Sequence, residues 1–243
     1  MQSKKAYILK TEHGLSRKYA RNCADSCEKV GLDWEYFRGW SNMRGVEAWA
    51  LSPINLTLNE GRRIILPEIT EPRQFINDED LPAAEKAECC TVGHASIWKK
   101  IAEGDEDVGI VLEHDALMLH NIDIEIPQNR IVVLGYKITN PQRYDHVTAG
   151  PPVRFLDIRG HEGAHAYAMT KETAQFLINE IETKGRLGCV DNAYFILNQR
   201  RTEVPLCIAD PTPALGWLRE STIWSSSAFR NYKFIDSFAE NYK

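Results

Sequence analysis

The run Val108-Gly109-Ile110-Val111-Leu112 ends in Glu113-His114-Asp115, and that junction constrains the fold more than any other stretch of the chain. Five residues without polar alternation, entered through the turn-prone Glu103-Gly104-Asp105-Glu106-Asp107, predict a strand buried on both faces. Carboxylates at the end of such a strand stand where open α/β sheets bind their ligands. Glu113 and Asp115 share one parity on an extended chain. Both are therefore expected to face a divalent cation, whose preference for oxygen donors would offset their mutual repulsion. A nucleotide diphosphate is one ligand class that needs such a cation. A polar turn after a buried strand is the plainer reading of the same residues.

The flanking sequence supplies the rest of an α/β unit. Ala6 to Leu9 predicts a first strand. A helix from Ser16 to about Val30 follows, with Ala20, Cys23, Ala24 and Cys27 at helical spacing, Ser16 as its N-cap and Gly31 as its stop. Trp34 to Phe37 predicts a second strand. The opening is thus β-α-β, and right-handed crossover makes its strands parallel neighbours. Between Ala83 and Ile101, Ala87, Cys90, His94, Ile97, Trp98 and Ile101 share one helical face. Ile131 to Leu134 predicts another buried strand, ended by Gly135. Gly163 to Met169 leads into a helix capped by Thr170, with Ala174, Leu177, Ile178 and Ile181 as its apolar stripe. A further helical segment opens at Val190-Asp191-Asn192, and Val204 to Ala209 is strand-like. Irregular excursions are expected near 40–82, where Ile64-Ile65-Leu66 is the one clear apolar run, and near 136–162.

At 243 residues, 43% hydrophobic, the chain is long enough for one large domain. A net charge of −5 gives no overall electrostatic reason to bind nucleic acid or an anionic membrane. Six cysteines without a pair of CxxC motifs predict reduced, buried thiols and no structural zinc spacing. The apolar part of Met1 to Lys10 is too short for a signal peptide, and no window reaches the length of a membrane span. A soluble cytoplasmic protein is the expectation.

Several residues carry both a structural and a chemical reading. His94, on an apolar stripe, reads first as a hydrogen-bonded core histidine, with Thr91 and Ser96 as nearby partners. A helix packed on the acid-bearing strand would still aim it at the site. Asp191 fits an N-cap as well as it fits a general base, and the two are compatible. Arg17 and Lys18 are solvated by default, yet they follow the first strand, where a nucleotide base or phosphate commonly docks.

Five segments in order resemble glycosyltransferase family 25, which includes lipooligosaccharide and procollagen galactosyltransferases. Glu88-Cys89-Cys90-Thr91-Val92-Gly93-His94-Ala95-Ser96-Ile97-Trp98 is similar to the family's Glu, Gly-Cys and Ser-His before a tryptophan. Ile110 to Asp115 is similar to its strand ending in Glu-Asp-Asp. Gly163 to Thr170 resembles its Gly-x-x-Ala-Tyr segment, Val190-Asp191 its Val-Asp, and Ser221-Thr222-Ile223 its C-terminal Ser-x-Ile. His114 stands in place of the central aspartate, Cys89 in place of a glycine and Gly93 in place of the serine before His94.

The resemblance implies a GT-A type α/β fold with a mixed central sheet flanked by helices. It implies transfer of a hexose, galactose favoured, from a UDP-sugar to a hydroxyl acceptor, a glycan before a protein. The displacement would be inverting and assisted by manganese or magnesium. In this reading Asp115, with Glu113 or His114, holds the cation. Asp191 is the base, and Arg17, His94 and Glu113 contact the donor. Two rivals remain: a catalytically degenerate glycan- or protein-binding module of the same fold, and another nucleotide-dependent enzyme such as a nucleotidyltransferase.

Overall fold

The computed structural model describes residues 2–56, 76, 80–137, 149–161, 163–185, 189–196, 198 and 202–216. The chain begins with β1 (Lys4–Lys10), α1 (Gly14–Lys29) and β2 (Trp34–Arg38), the expected β-α-β unit with β1 and β2 parallel. α2 (Gly45–Leu51) and α3 (Ala83–Glu103) precede β3 (Val108–Glu113) and β4 (Ala116–Met118). Then come β5 (Ile131–Val133), β6 (Gly135–Lys137), β7 (Arg154–Ile158), β8 (Ala166–Thr170) and α4 (Lys171–Lys184). A π-helical segment (Asp191–Ile196), β9 (Leu206–Asp210) and β10 (Ala214–Gly216) complete the described elements.

Seven strands form one mixed sheet in the order β2-β1-β3-β8-β5-β9-β7. β2, β1 and β3 run parallel, β8 runs against both β3 and β5, β9 runs with β5, and β7 runs against β9. The period-two alternation of side chains assigns each face to its own core. Tyr7, Leu9, Val111, Val133, Tyr167 and Met169 pack with α2, α3 and α4. Ala6, Ile8, Ile110, Leu112, Val132 and Ala168 pack with α1 and the small sheet β4-β10-β6. Val108 to Leu112 is buried along its whole length, as the unbroken apolar run predicts. Each such large side chain contributes about 1.5–3 kcal/mol on full burial.

Local departures have identifiable causes. His13, not Ser16, caps α1: its Nδ1 accepts from Leu15 N at 3.3 Å. Ser16 lies inside the helix, and its Oγ accepts from Thr11 N at 2.9 Å, tying the end of β1 to α1. Gly31 does end α1, with φ +71° in the region only glycine occupies without strain. The stretch expected to be irregular from 40 contains α2, a seven-residue helix whose Glu47 carboxylate accepts from Arg44 N at 3.2 Å and whose Trp49 is buried. Ile64-Ile65-Leu66 lies outside the described residues.

The run Ile131 to Leu134 is not one strand to its end. Leu134 donates to Ala166 O in the main sheet and accepts from Ala214 N in the small one, both at 3.0 Å, so the chain changes sheets there. A Cβ at Gly135 would lie 2.5 Å from the Ala214 carbonyl oxygen, which explains the glycine at the crossing. Gly163 to Met169 does not simply lead into a helix: its second half is β8, between β3 and β5 in the sheet. Thr170 caps α4 as expected, accepting from Thr173 N. No helix among the described residues is long and apolar enough to cross a membrane.

Candidate active site

β3 ends at Glu113, and the side chain there keeps the parity of Val111, toward the α3 face. α3 brings Cys90 and His94 to it, one turn apart on the same helical side. His94 is fully buried, and its Nε2 lies 3.2 Å from Glu113 Oε1. Cys90 Sγ lies 3.8 Å from the same oxygen. On its other side, His94 Nδ1 lies 2.8 Å from the Tyr167 hydroxyl, which also accepts the Trp98 indole N–H at 2.7 Å.

The motif residues Cys90, His94, Trp98, Glu113 and Tyr167, scattered over 78 positions of sequence, thus form one hydrogen-bonded cluster. The partners of His94 are Tyr167 and Glu113, not Thr91 or Ser96. Gly93, beside it, faces Leu9: a Cβ there would meet the Leu9 side chain at 2.9 Å, so this packing favours glycine where the resembling family has serine. Burial above all, with the charges of Glu113, Asp191 and Cys189, pushes the Cys90 thiol well above its ordinary range. Burial likewise raises Tyr167, against the lowering effect of the Trp98 hydrogen bond.

Asp191 joins this neighbourhood, since its charge acts on both Cys90 and Tyr167. It lies inside the first turn of the π-helical segment, so it is not the residue ahead of the helix that an N-cap would be. Thr91 Oγ1 accepts from Val190 N at 3.0 Å while donating to Ala87 O at 2.9 Å, which anchors the residue before Asp191 to α3. Thr91 is therefore a positioning residue.

Asp115 occupies a different place. His114 and Asp115 form the turn between β3 and β4, so the shared parity expected for Glu113 and Asp115 does not carry past the strand end. Asp115 is buried, and its charge acts on Cys23 of α1. His114 stacks on Tyr19 of α1 at 6.3 Å with rings 14° apart, and Lys18 Nζ sits 5.9 Å from the same Tyr19 ring. The one group of metal-ligating side chains among the described residues is Cys90, His94 and Glu113, with all donor atoms within 4.8 Å of one another. It includes Glu113 of the acidic strand end, without Asp115 or His114.

Arg17 is exposed on α1, 3.9 Å from Glu12, and makes no contact with this cluster. Ser221 and Thr222 lie outside the described residues. Sequence reasoning left Cys90 and Tyr167 without a site role. Their signals were present, in the i, i+4 spacing of Cys90 to His94 and in a tyrosine within a run of small residues. Only the sheet register, which pairs Tyr167 with Val111 and Val133, brings them together.

No family model matches the chain, and no curated protein matches its sequence. Solved structures do. A galactosyltransferase LgtC in complex with donor and acceptor sugar analogs is 12% identical, covering 96% of this chain and 95% of that one, with a TM-score of 0.41. The glycosyltransferase GlyE of Streptococcus pneumoniae TIGR4 in its apo form is 12% identical, covering 99% of this chain and 64% of that one, TM-score 0.41. A Drosophila β1,4-galactosyltransferase 7 in complex with manganese, UDP-Gal and xylobiose is 11% identical, covering 72% of this chain and 52% of that one, TM-score 0.31.

Proposed function

We propose that the chain is one glycosyltransferase domain of the GT-A type. It transfers a hexose, galactose favoured, from a UDP-sugar to a hydroxyl of a glycan acceptor in the cytoplasm, with inversion. The observation that carries this reading is the hydrogen-bonded grouping of Glu113, His94 and Cys90 at the end of β3, where open α/β sheets bind ligands, with the Asp191 charge acting on Cys90.

Manganese and magnesium take oxygen donors, and the buried Asp115 carboxylate at the β3–β4 turn fits such a cation. His114 is adjacent and stacks on Tyr19, whereas Glu113 is turned to the α3 face, where Cys90 and His94 engage it. When bound, the cation would offset the charge of a diphosphate leaving group. Asp191 takes the proton of the acceptor hydroxyl as it attacks, and His94 holds Glu113 in orientation toward the donor. Arg17, projecting from the first turns of α1, is assigned to the nucleotide.

Thermal stabilisation of the purified protein by UDP-, GDP- and CMP-sugars, with and without manganese, tests the reading. A rise in melting temperature that needs both manganese and one UDP-hexose supports the transferase, because a ligand that binds only the folded state stabilises it. A second reading, the degenerate binding module, is favoured by the engagement of Glu113 with His94 and Cys90 on the α3 face, apart from Asp115. No shift with any donor would select it.

A further inference from the structure

We propose that Cys90, His94 and Glu113 form a binding site for a thiophilic divalent cation of the zinc class, distinct from the hard cation assigned to Asp115. The inference goes beyond the transferase reading and does not depend on it. Its basis is geometry. Cys90 Sγ and His94 Nε2 stand 3.8 Å and 3.2 Å from Glu113 Oε1, and all three donors lie within 4.8 Å of one another. Tetrahedral zinc, with Zn–S of about 2.3 Å and Zn–N or Zn–O of about 2.0–2.1 Å, separates its donors by about 3.3–3.6 Å. The two separations from Glu113 Oε1 are therefore close to the spacing that such an ion requires, and the third is no more than 4.8 Å.

The donor set has the character of zinc rather than manganese. A thiolate and an imidazole select soft or borderline cations, whereas manganese and magnesium prefer carboxylate and water. The second ring nitrogen of His94 is engaged by the Tyr167 hydroxyl at 2.8 Å, and such a contact orients most metal-ligating histidines. Tyr167 is in turn held by Trp98, so the imidazole plane is fixed from behind. The carboxylates of Glu113 and Asp191 both act on the Cys90 thiol, and a dication there would offset their charge.

In the metal-free form the Cys90 thiol donates to Glu113 Oε1, which His94 Nε2 also faces. Binding releases the thiol proton to solvent. For Nε2 to bind the ion, the imidazole proton moves from Nε2 to Nδ1 through solvent, and the Tyr167 hydroxyl turns from donor to acceptor at that nitrogen. The linear spacing of cysteines and histidines showed no such site because the third donor comes from a strand, 19 residues beyond His94.

Cobalt(II) titration of the reduced, chelator-treated full chain tests the site without any donor sugar, so this proposal and the transferase reading fail independently. One cobalt per chain is expected, with a thiolate-to-cobalt charge-transfer absorption that zinc abolishes by displacement. Absence of that absorption in the wild-type protein at saturating cobalt overturns the proposal. Cys90→Ser should lose it, while Cys207→Ser and Asp115→Asn keep it; an absorption that survives Cys90→Ser also overturns the proposal. Glu113→Gln, at a half-buried position, should bind cobalt at least about tenfold more weakly. Unchanged affinity in that variant counts against the third donor and the site as assigned.

Discussion

The Tyr167 hydroxyl lies 2.8 Å from His94 Nδ1 while accepting the Trp98 indole N–H at 2.7 Å. Because indole only donates, the phenol proton is available to Nδ1, and hydrogen bonding then assigns the imidazole proton to Nε2, facing Glu113. Trp98, Tyr167, His94 and Glu113 thus form a relay running in a single direction, from the core of α3 toward the end of β3. A buried chain of this kind fixes Glu113 in one orientation, which the carboxylate at an exposed strand end would not have by itself.

Tyr167→Phe keeps the ring and removes the atom that both neighbours use. Trp98 Nε1 and His94 Nδ1 would each lose a partner in the core, at about 1–3 kcal/mol per group. Stability is expected to fall by about 2–5 kcal/mol, measured by urea unfolding at neutral pH. A loss under about 1 kcal/mol would mean that the two groups find other partners.

Asp191→Asn is isosteric and cannot accept the acceptor's proton. Turnover to free UDP is expected to fall by about 10²–10⁴, the usual range for a lost general base, with donor stabilisation of the melting temperature kept. Equal loss of donor binding and turnover would instead make Asp191 a binding residue.

Asp115→Asn separates the two cation assignments. Manganese-dependent stabilisation by a UDP-hexose should disappear, while a cooperative melt is retained. Full manganese-dependent turnover in that variant would remove Asp115 from the metal assignment.

Gly135→Ala tests the crossing between sheets. The new Cβ would meet the Ala214 carbonyl oxygen at 2.5 Å, and backbone cannot move aside as a flexible side chain can. A loss of about 1–3 kcal/mol is expected in urea unfolding. Gly14→Ala is the control: nothing lies within 4 Å of its Cβ, so it should be neutral or stabilising by up to about 1 kcal/mol.

Elements with a strong period or a capping residue were legible from sequence: the β-α-β opening, α3, β3, and α4 with its Thr170 cap. What sequence could not show was set by register and by short elements. β8 is the five residues Ala-Tyr-Ala-Met-Thr, too brief for its alternation to be distinguished from a lead into α4. α2 has seven residues and no ordinary N-cap residue. Within the site, Glu113 and His94 meet at 3.2 Å because α3 packs on the end of β3. Asp115 parts from Glu113 because a turn, not an extended strand, joins them. Arg17 is separated from the cluster because its helical position turns it toward Glu12 and solvent.

Alkaline pH should weaken the fold in a predictable order. Burial raises the Cys207 thiol from 9.0 to about 11 and the Tyr7 phenol from 10.0 to about 12. In both cases the folded state keeps a proton that the unfolded chain releases, so stability falls with pH wherever the unfolded state binds fewer protons. The contribution is complete below the unfolded values. It is lost between 9.0 and about 11 for Cys207, and between 10.0 and about 12 for Tyr7. Lys5 and Lys184, raised by hydrogen bonds to Glu35 and Glu180, add in the same sense as they lose their charge. The urea midpoint is expected to be level from neutral pH to about 8 and to decline steadily above about 9. Cys207→Ala should flatten the first part of that decline. A midpoint that is level up to about pH 11 would show that these groups titrate in the folded state as they do in the unfolded chain.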